Sequence, residues 1–152
     1  MKVHEIMKQP VITVHEDATL SEVAQTMLDH HVWGVPVIND RGEITGIVTE
    51  ADFAVKEAGM PFSTFRAPQL FGKWMDKGKI EKLYEAARTM KAKEVMSSPV
   101  ITVTEDASIE NVVQLMVERH ITRIPVVREK IPVGIVARND LLKLMAGTSS
   151  ST

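Results

Sequence analysis

The sequence predicts a mixed α/β (α+β) fold made of two pseudo-twofold-related β-α-β-β-α units, each with a small sheet, joined by a helical linker. Three observations predict it. Met7–Val37 reappears as Met96–Val126, with 15 of 31 aligned positions identical at a fixed offset of 89. After one deletion the register resumes at an offset of 88, where GIVTEAD (Gly46–Asp52) matches GIVARND (Gly134–Asp140). Within each copy, β-branched runs alternate with stretches of helical period. A long unit present twice is no solenoid, which needs about three or more short repeats. It is a pair of units, each too small to bury a full core alone. A pair of that kind has a cleft between its halves, and clefts are where ligands bind.

The elements follow in order. Val11–Val14 (VITV) is a β-branched run after a proline and reads as a strand. Thr19 opens a helix, and Glu22 three residues on completes a capping box. Leu20, Val23, Ala24, Met27 and Leu28 then form the apolar stripe of that helix. Gly34–Ile38 and Ile44–Thr49 are strands, joined by a turn whose Asn39, Asp40 and Gly42 suit a hairpin. A second helix runs from about Glu50 to Ala58. The second copy repeats the order. Val100–Val103 is its first strand, Ser108 caps its helix, and Ile109, Val112, Val113 and Met116 carry the stripe. Arg123–Val127 and Ile131–Ala137 are its hairpin strands, and a helix from about Arg138 to Met145 closes it. The boundaries are therefore 1–58 for the first repeat, 59–92 for the linker, 93–146 for the second repeat and 147–152 for a disordered tail.

In the linker, Met60–Gly72 contains Pro61 and Pro68 without a clean period and reads as a loop. Lys79–Lys91 reads as an amphipathic helix with Ile80, Leu83, Tyr84, Ala87 and Met90 on one face. Phe62, Phe65, Phe71 and Trp74 are four of the chain's seven aromatic residues. Such a cluster plugs onto the body of the domain, or serves as a dimer contact or a flap over the cleft.

Composition narrows the function. A net charge of −2 provides no basic field for a phosphate backbone, which makes nucleic acid an unlikely partner. With no cysteine there is no disulfide, thiolate metal site or Cys nucleophile. The first residues lack the apolar run of a secretory signal, and no stretch approaches the ~18 apolar residues of a membrane span, so a cytoplasmic protein is expected. His30, His31 and His120 fall at helix ends, where a cation complements the helix dipole. His, Asp and Glu show no metal-ligand spacing, so no metal is expected. Neither a phosphate-binding loop nor a Ser/His/Asp arrangement is present, and no catalytic residue is assigned.

Four signatures occur in both copies: M-x-x-P-V-I-T-V, E-D-A-[TS], a hydrophobic-Pro-Val strand, and G-hydrophobic-V-x-x-x-D. Together they resemble the tandem CBS-domain pair (the Bateman module), over about Val3–Ala58 and Lys93–Ala146. The resemblance implies a regulatory module, not an enzyme. It would bind an adenine ligand (AMP, ADP, ATP or S-adenosylmethionine-like) between the repeats and require no cofactor. It also implies a homodimer and, with no catalytic or transport domain attached, an output through a separate effector protein or through self-association.

Chemistry accounts for the motif. One carboxylate accepts hydrogen bonds from both vicinal hydroxyls of a ribose, and a helix start offers N–H groups to phosphate. Each ligand of the family lies between the acidic motif of one repeat and the first strand and pre-Pro segment of the other. One cleft then sets Thr49 and Asp52 against Thr102, Thr122 and Arg123, with hydroxyl, carboxylate and guanidinium all present. The other sets Asp140 and Arg138 against Thr13, Val32, Trp33 and Gly34. There Ala137 replaces the hydroxyl residue and Gly34 stands at the basic position, with Arg138 as a partial substitute. The first is expected to be the stronger site, with Arg66 or Lys73 available to reach a phosphate from the linker. The plainer reading of each aspartate is a first-turn helix cap. Rival functions are a structural interaction module with a vestigial cleft, or a regulator responsive to nucleic acid or metal ions.

Overall fold

Both copies place their valine-rich runs at the centre of a three-stranded sheet. The computed structural model describes residues 1–54 and 77–147. The first copy contains β1 (Val14–His15), α1 (Leu20–His30), β2 (Gly34–Ile38) and β3 (Ile44–Thr49), followed by a 3-10 turn over Glu50–Phe53. Next come α2 (Lys77–Ala87) and α3 (Ala92–Val95). The second copy has β4 (Val103–Thr104), α4 (Ile109–Arg119), β5 (Arg123–Arg128) and β6 (Ile131–Ala137), then a 3-10 turn over Arg138–Leu141 and α5 (Leu142–Ala146). The sheets have orders β1-β2-β3 and β4-β5-β6. In each the first pair is parallel and the second antiparallel, so α1 and α4 are the crossovers.

Several expectations shift. The first strands are two residues long and begin late, at Val14 and Val103. Only Val14 and His15 reach partners, Val37 and Ile38, so Val11–Thr13 stay outside the sheet. In place of the expected helix from Glu50, the first repeat has a 3-10 turn that ends at Phe53 with Ala54 extended, and residues 55–58 lie outside the described residues; in the second repeat a 3-10 turn leads into α5. The linker helix ends at Ala87, short of the expected Lys91, because the chain turns there to meet α1. Leu28 and Val113 do not join the apolar stripes and are 59% and 39% exposed. The expected loop, the aromatic cluster, Arg66, Lys73 and the tail beyond Gly147 lie outside the described residues.

Local chemistry sets the helix ends. Thr19 Oγ1 accepts the Glu22 N–H at 3.2 Å, and the Glu22 carboxylate accepts the Thr19 N–H at 3.3 Å. Ser108 Oγ accepts the Asn111 N–H at 3.1 Å. Thr19→Ala is therefore expected to lower stability by about 1 kcal/mol, read as a lower urea midpoint at unchanged slope. Both helices end on histidines in the left-handed region, His31 at φ 52° and His120 at φ 53°. The hairpin turn is held by Asn39, whose Oδ1 accepts the N–H groups of Arg41 and Glu43 at 2.9 and 3.0 Å.

Each core is finished by the other repeat's lead-in. Val35, Val37 and Val48 pack with Val23 and Met27 of α1, and Ala87, Ala92 and Val95 close that cluster. Ile124, Val126 and Val136 pack with Val112 and Met116 of α4, and Val3, Ile6 and Met7 close theirs. The backbone bonds are equivalent in the two halves. Ala92 N–H donates to Ala18 O and Val3 N–H to Ala107 O, each at 2.8 Å. Leu20 N–H at the start of α1 donates to Met90 O at 2.8 Å, and Ile109 N–H of α4 to Met1 O at 3.2 Å, so first-turn amides find partners outside the helix. Ion pairs repeat the exchange: Lys91 and Lys93 reach Asp17 at 3.6 and 3.0 Å, and Lys2 reaches Asp106 at 3.5 Å. The hydrogen bond from Lys93 holds the Asp17 carboxyl below the usual carboxylate range.

Candidate functional site

Both 3-10 turns are fastened by their own aspartates. Asp52 Oδ2 accepts the Thr49 N–H at 2.8 Å, and Asp140 Oδ2 accepts the Ala137 N–H at 2.7 Å. Capping is thus a role that both residues fill. Just before each turn the two repeats join through the backbone. Ile47 and Ser97 exchange hydrogen bonds at 3.2 and 2.9 Å, and Ile135 and Lys8 exchange theirs at 3.2 and 2.8 Å. Glycine makes this approach possible. A Cβ on Gly46 would lie 2.5 Å from Met96 Sδ and 2.9 Å from the Ser97 carbonyl oxygen. On Gly134 it would lie 2.5 Å from Met7 Sδ and 3.1 Å from the Lys8 carbonyl oxygen.

This junction floors a cleft of about 250 Å³ between the repeats. Thr49 contributes from the end of β3, and Thr122 and Arg123 from the start of β5. Apolar walls come from Ile47, Pro99, Val100, Ile101 and Ile121, while Ser97 and His120 add polar groups. Three of the five residues expected at the stronger site thus share one cavity. Asp52 sits half-buried on the adjoining turn, and Thr102 is next to Ile101, but neither is on the cavity wall. Val100 and Ile101, expected in a strand, instead line the cavity, together with Ser97 and Pro99, for which the sequence motifs assign no role. Since β4 begins only at Val103, Val100 and Ile101 are free to face the cleft. His120, at the end of α4, also lines the cavity. Its left-handed φ marks where the chain turns from α4 into the cavity wall.

Arg123 is the charged group of the cleft. Its side chain is 20% exposed, and its Nη1 donates to Thr122 Oγ1 at 3.3 Å. Its stem crosses Gly34, where a Cβ would come within 2.6 Å of Arg123 Cδ. Its Nη2 lies 3.5 Å from Glu50 Oε1. Gly34 therefore serves the Arg123 site by leaving room for the arginine.

The residues expected at the weaker site do not gather in the same way. Asp140 is 1% exposed, with its Oδ1 at 3.2 Å from Lys143 Nζ and 3.9 Å from Lys8 Nζ. Although Lys143 is within ion-pair distance, that oxygen has no aligned hydrogen bond within the protein. Trp33 is 47% exposed and lines a wider groove of about 610 Å³ beside α1 and α2, together with Glu50 and Tyr84. Val32 packs against the first core. Arg138 is exposed, and its N–H donates to Thr122 O at 2.8 Å. Thr13 is half-buried between the first lead-in and β1.

Among the described residues no three His, Asp or Glu side chains are placed to hold a metal ion. No helix among them is long and apolar enough to cross a membrane.

Comparison with known proteins agrees with this geometry. The family model described as CBS domain matches residues 3–58 and again 92–147. A solved CBS domain of a CBS domain-containing membrane protein from Sphaerobacter thermophilus is 39% identical, with a TM-score of 0.73, covering 95% of this chain and 87% of that one. The CBS domain pair of protein MJ0100, solved with 5′-methylthioadenosine and S-adenosyl-L-methionine, is 26% identical with a TM-score of 0.71, covering 97% of each chain. The uncharacterized protein MJ1404 of Methanocaldococcus jannaschii is 32% identical over 145 residues. That match takes in 95% of this chain and 32% of the relative, so the chain spans about a third of that protein's length.

Proposed function

The chain belongs to the CBS-domain family, and from that premise we propose that it is a regulatory module that senses an adenine nucleoside or nucleotide in the cleft between its repeats. One observation carries the reading: Thr49 of one repeat and Thr122 and Arg123 of the other converge on a single apolar-walled cavity. The apolar walls suit a purine face, and the hydroxyls suit a sugar. The guanidinium suits a phosphate or another polar 5′ substituent. Support for the ligand class comes from the MJ0100 pair, solved with two adenosine derivatives. A ligand held from both sides ties the repeats together, and that closure free energy is available to shift a homodimer or effector contact. In this reading the module regulates and does not catalyse, acts in the cytoplasm, and signals through a protein partner.

A thermal-shift panel with AMP, ADP, ATP, S-adenosylmethionine and 5′-methylthioadenosine tests it. At least one ligand is expected to raise the melting temperature, since saturation to about 100 Kd adds about 2.7 kcal/mol. Asp52→Ala is expected to abolish that shift, measured against the variant's own baseline, more completely than Asp140→Ala. No shift with any ligand at millimolar concentration sinks the sensor reading. Equal losses in the two variants remove the asymmetry between the clefts.

A further inference from the structure

The ion pair between Arg123 and Glu50 has a consequence for which ligands the cleft accepts. Glu50 opens the 3-10 turn and is 61% exposed, and its carboxylate lies 3.5 Å from the half-buried guanidinium. The guanidinium is held in place by Thr122 Oγ1 and by the space above Gly34. Arg123 and Glu50 together leave the local charge near zero. At about 250 Å³ the cleft falls below the roughly 300–1,000 Å³ usual for small-molecule sites. In the adenine-ligand reading the base and sugar lie against the apolar walls and threonines, and the 5′ substituent meets Arg123 beside Glu50.

We infer that Glu50 is a charge filter that weakens the binding of phosphorylated adenine ligands relative to those with a neutral or cationic 5′ substituent. The inference rests on the cleft being the adenine-ligand site. A phosphate that reaches Arg123 must either displace the carboxylate or sit next to a like charge. A thioether meets no such repulsion, and a sulfonium gains a carboxylate partner. The filter belongs to one cleft, because the position equivalent to Glu50 in the second repeat is Arg138, of opposite charge.

Isothermal titration of the wild-type chain and Glu50→Gln with AMP, 5′-methylthioadenosine and pyrophosphate, at fixed low ionic strength, tests the filter. Glutamine keeps the size and removes the charge, and a matching urea midpoint confirms that the fold is kept. Glu50→Gln is expected to tighten AMP and pyrophosphate about tenfold, equivalent to about 1.4 kcal/mol, and to leave 5′-methylthioadenosine unchanged. If AMP and 5′-methylthioadenosine change by the same factor, or AMP does not tighten, the filter is wrong. If neither adenine ligand binds either chain, the adenine reading fails and the filter among adenine ligands falls with it; pyrophosphate tightening then shows only that Glu50 opposes phosphate at Arg123. If nothing binds either chain, both fall.

Discussion

Deleting Met1–Met7 is expected to strip the second half of the molecule of its protection while the first half keeps more of its own. The deleted segment contains Val3, Ile6 and Met7, which are 0%, 2% and 7% exposed and close the core around Ile124, Val126 and Val136. Burial of a side chain of this size contributes about 1.5–3 kcal/mol. Three of them approach the ~5–15 kcal/mol that holds a typical domain together. The loss also leaves the Ile109 N–H of α4 and the Ala107 carbonyl without their partners in Met1 and Val3. Native-state hydrogen exchange followed by NMR reads the outcome residue by residue. Amides of β5 and β6 should exchange faster by a larger factor than those of β2 and β3. A truncated chain with the stability of the full one, or with the larger loss in β2 and β3, contradicts the exchanged-core arrangement.

Gly46→Val is expected to cost about 3 kcal/mol, at the upper end for an overpacked site. The added Cβ meets Met96 Sδ at 2.5 Å and, less forgivingly, the Ser97 carbonyl oxygen at 2.9 Å. The thioether can rotate away, whereas the carbonyl cannot move without breaking the paired bonds between Ile47 and Ser97. Gly134→Val should cost less, because its backbone neighbour, Lys8 O, is at 3.1 Å. Urea unfolding of the two variants gives the ranking directly. Since Ile47 and Ser97 also line the cleft, Gly46→Val should reduce any ligand-induced thermal shift more than Gly134→Val does. The reverse order in both measurements contradicts the role given to the Gly46 approach.

Much of the fold was legible because its determinants are local. The Thr19–Glu22 box, the Ser108 cap, the hairpin at Asn39–Glu43 and the stripe through Val23 and Met27 depend on neighbours a few residues apart, and all appear where the spacing puts them. Long-range effects were not legible. Strand length depends on the partner, so of each run of four β-branched residues only the last, Val14 or Val103, pairs. The lysines over Asp140 come from Lys8 and Lys143, on opposite sides of the chain, and no motif joins them. At the candidate site the duplicated motifs pointed to Thr49, Thr122 and Arg123. Glu50 escaped notice because its role depends on reaching across to the other repeat.

The exchanged lead-ins also impose an order on the life of the chain. The apolar face of Val3, Ile6 and Met7 is made on the order of a hundred residues before its docking site around Ile124 and Val136. At the usual ~5–20 residues per second of synthesis, those side chains wait several seconds with nothing to cover them. The first repeat has no such delay, because Ala92 and Val95 follow its own sheet in sequence. Docking of Val3, Ile6 and Met7 therefore has to follow synthesis of the second sheet, whereas Ala92 and Val95 are made after the sheet they cover.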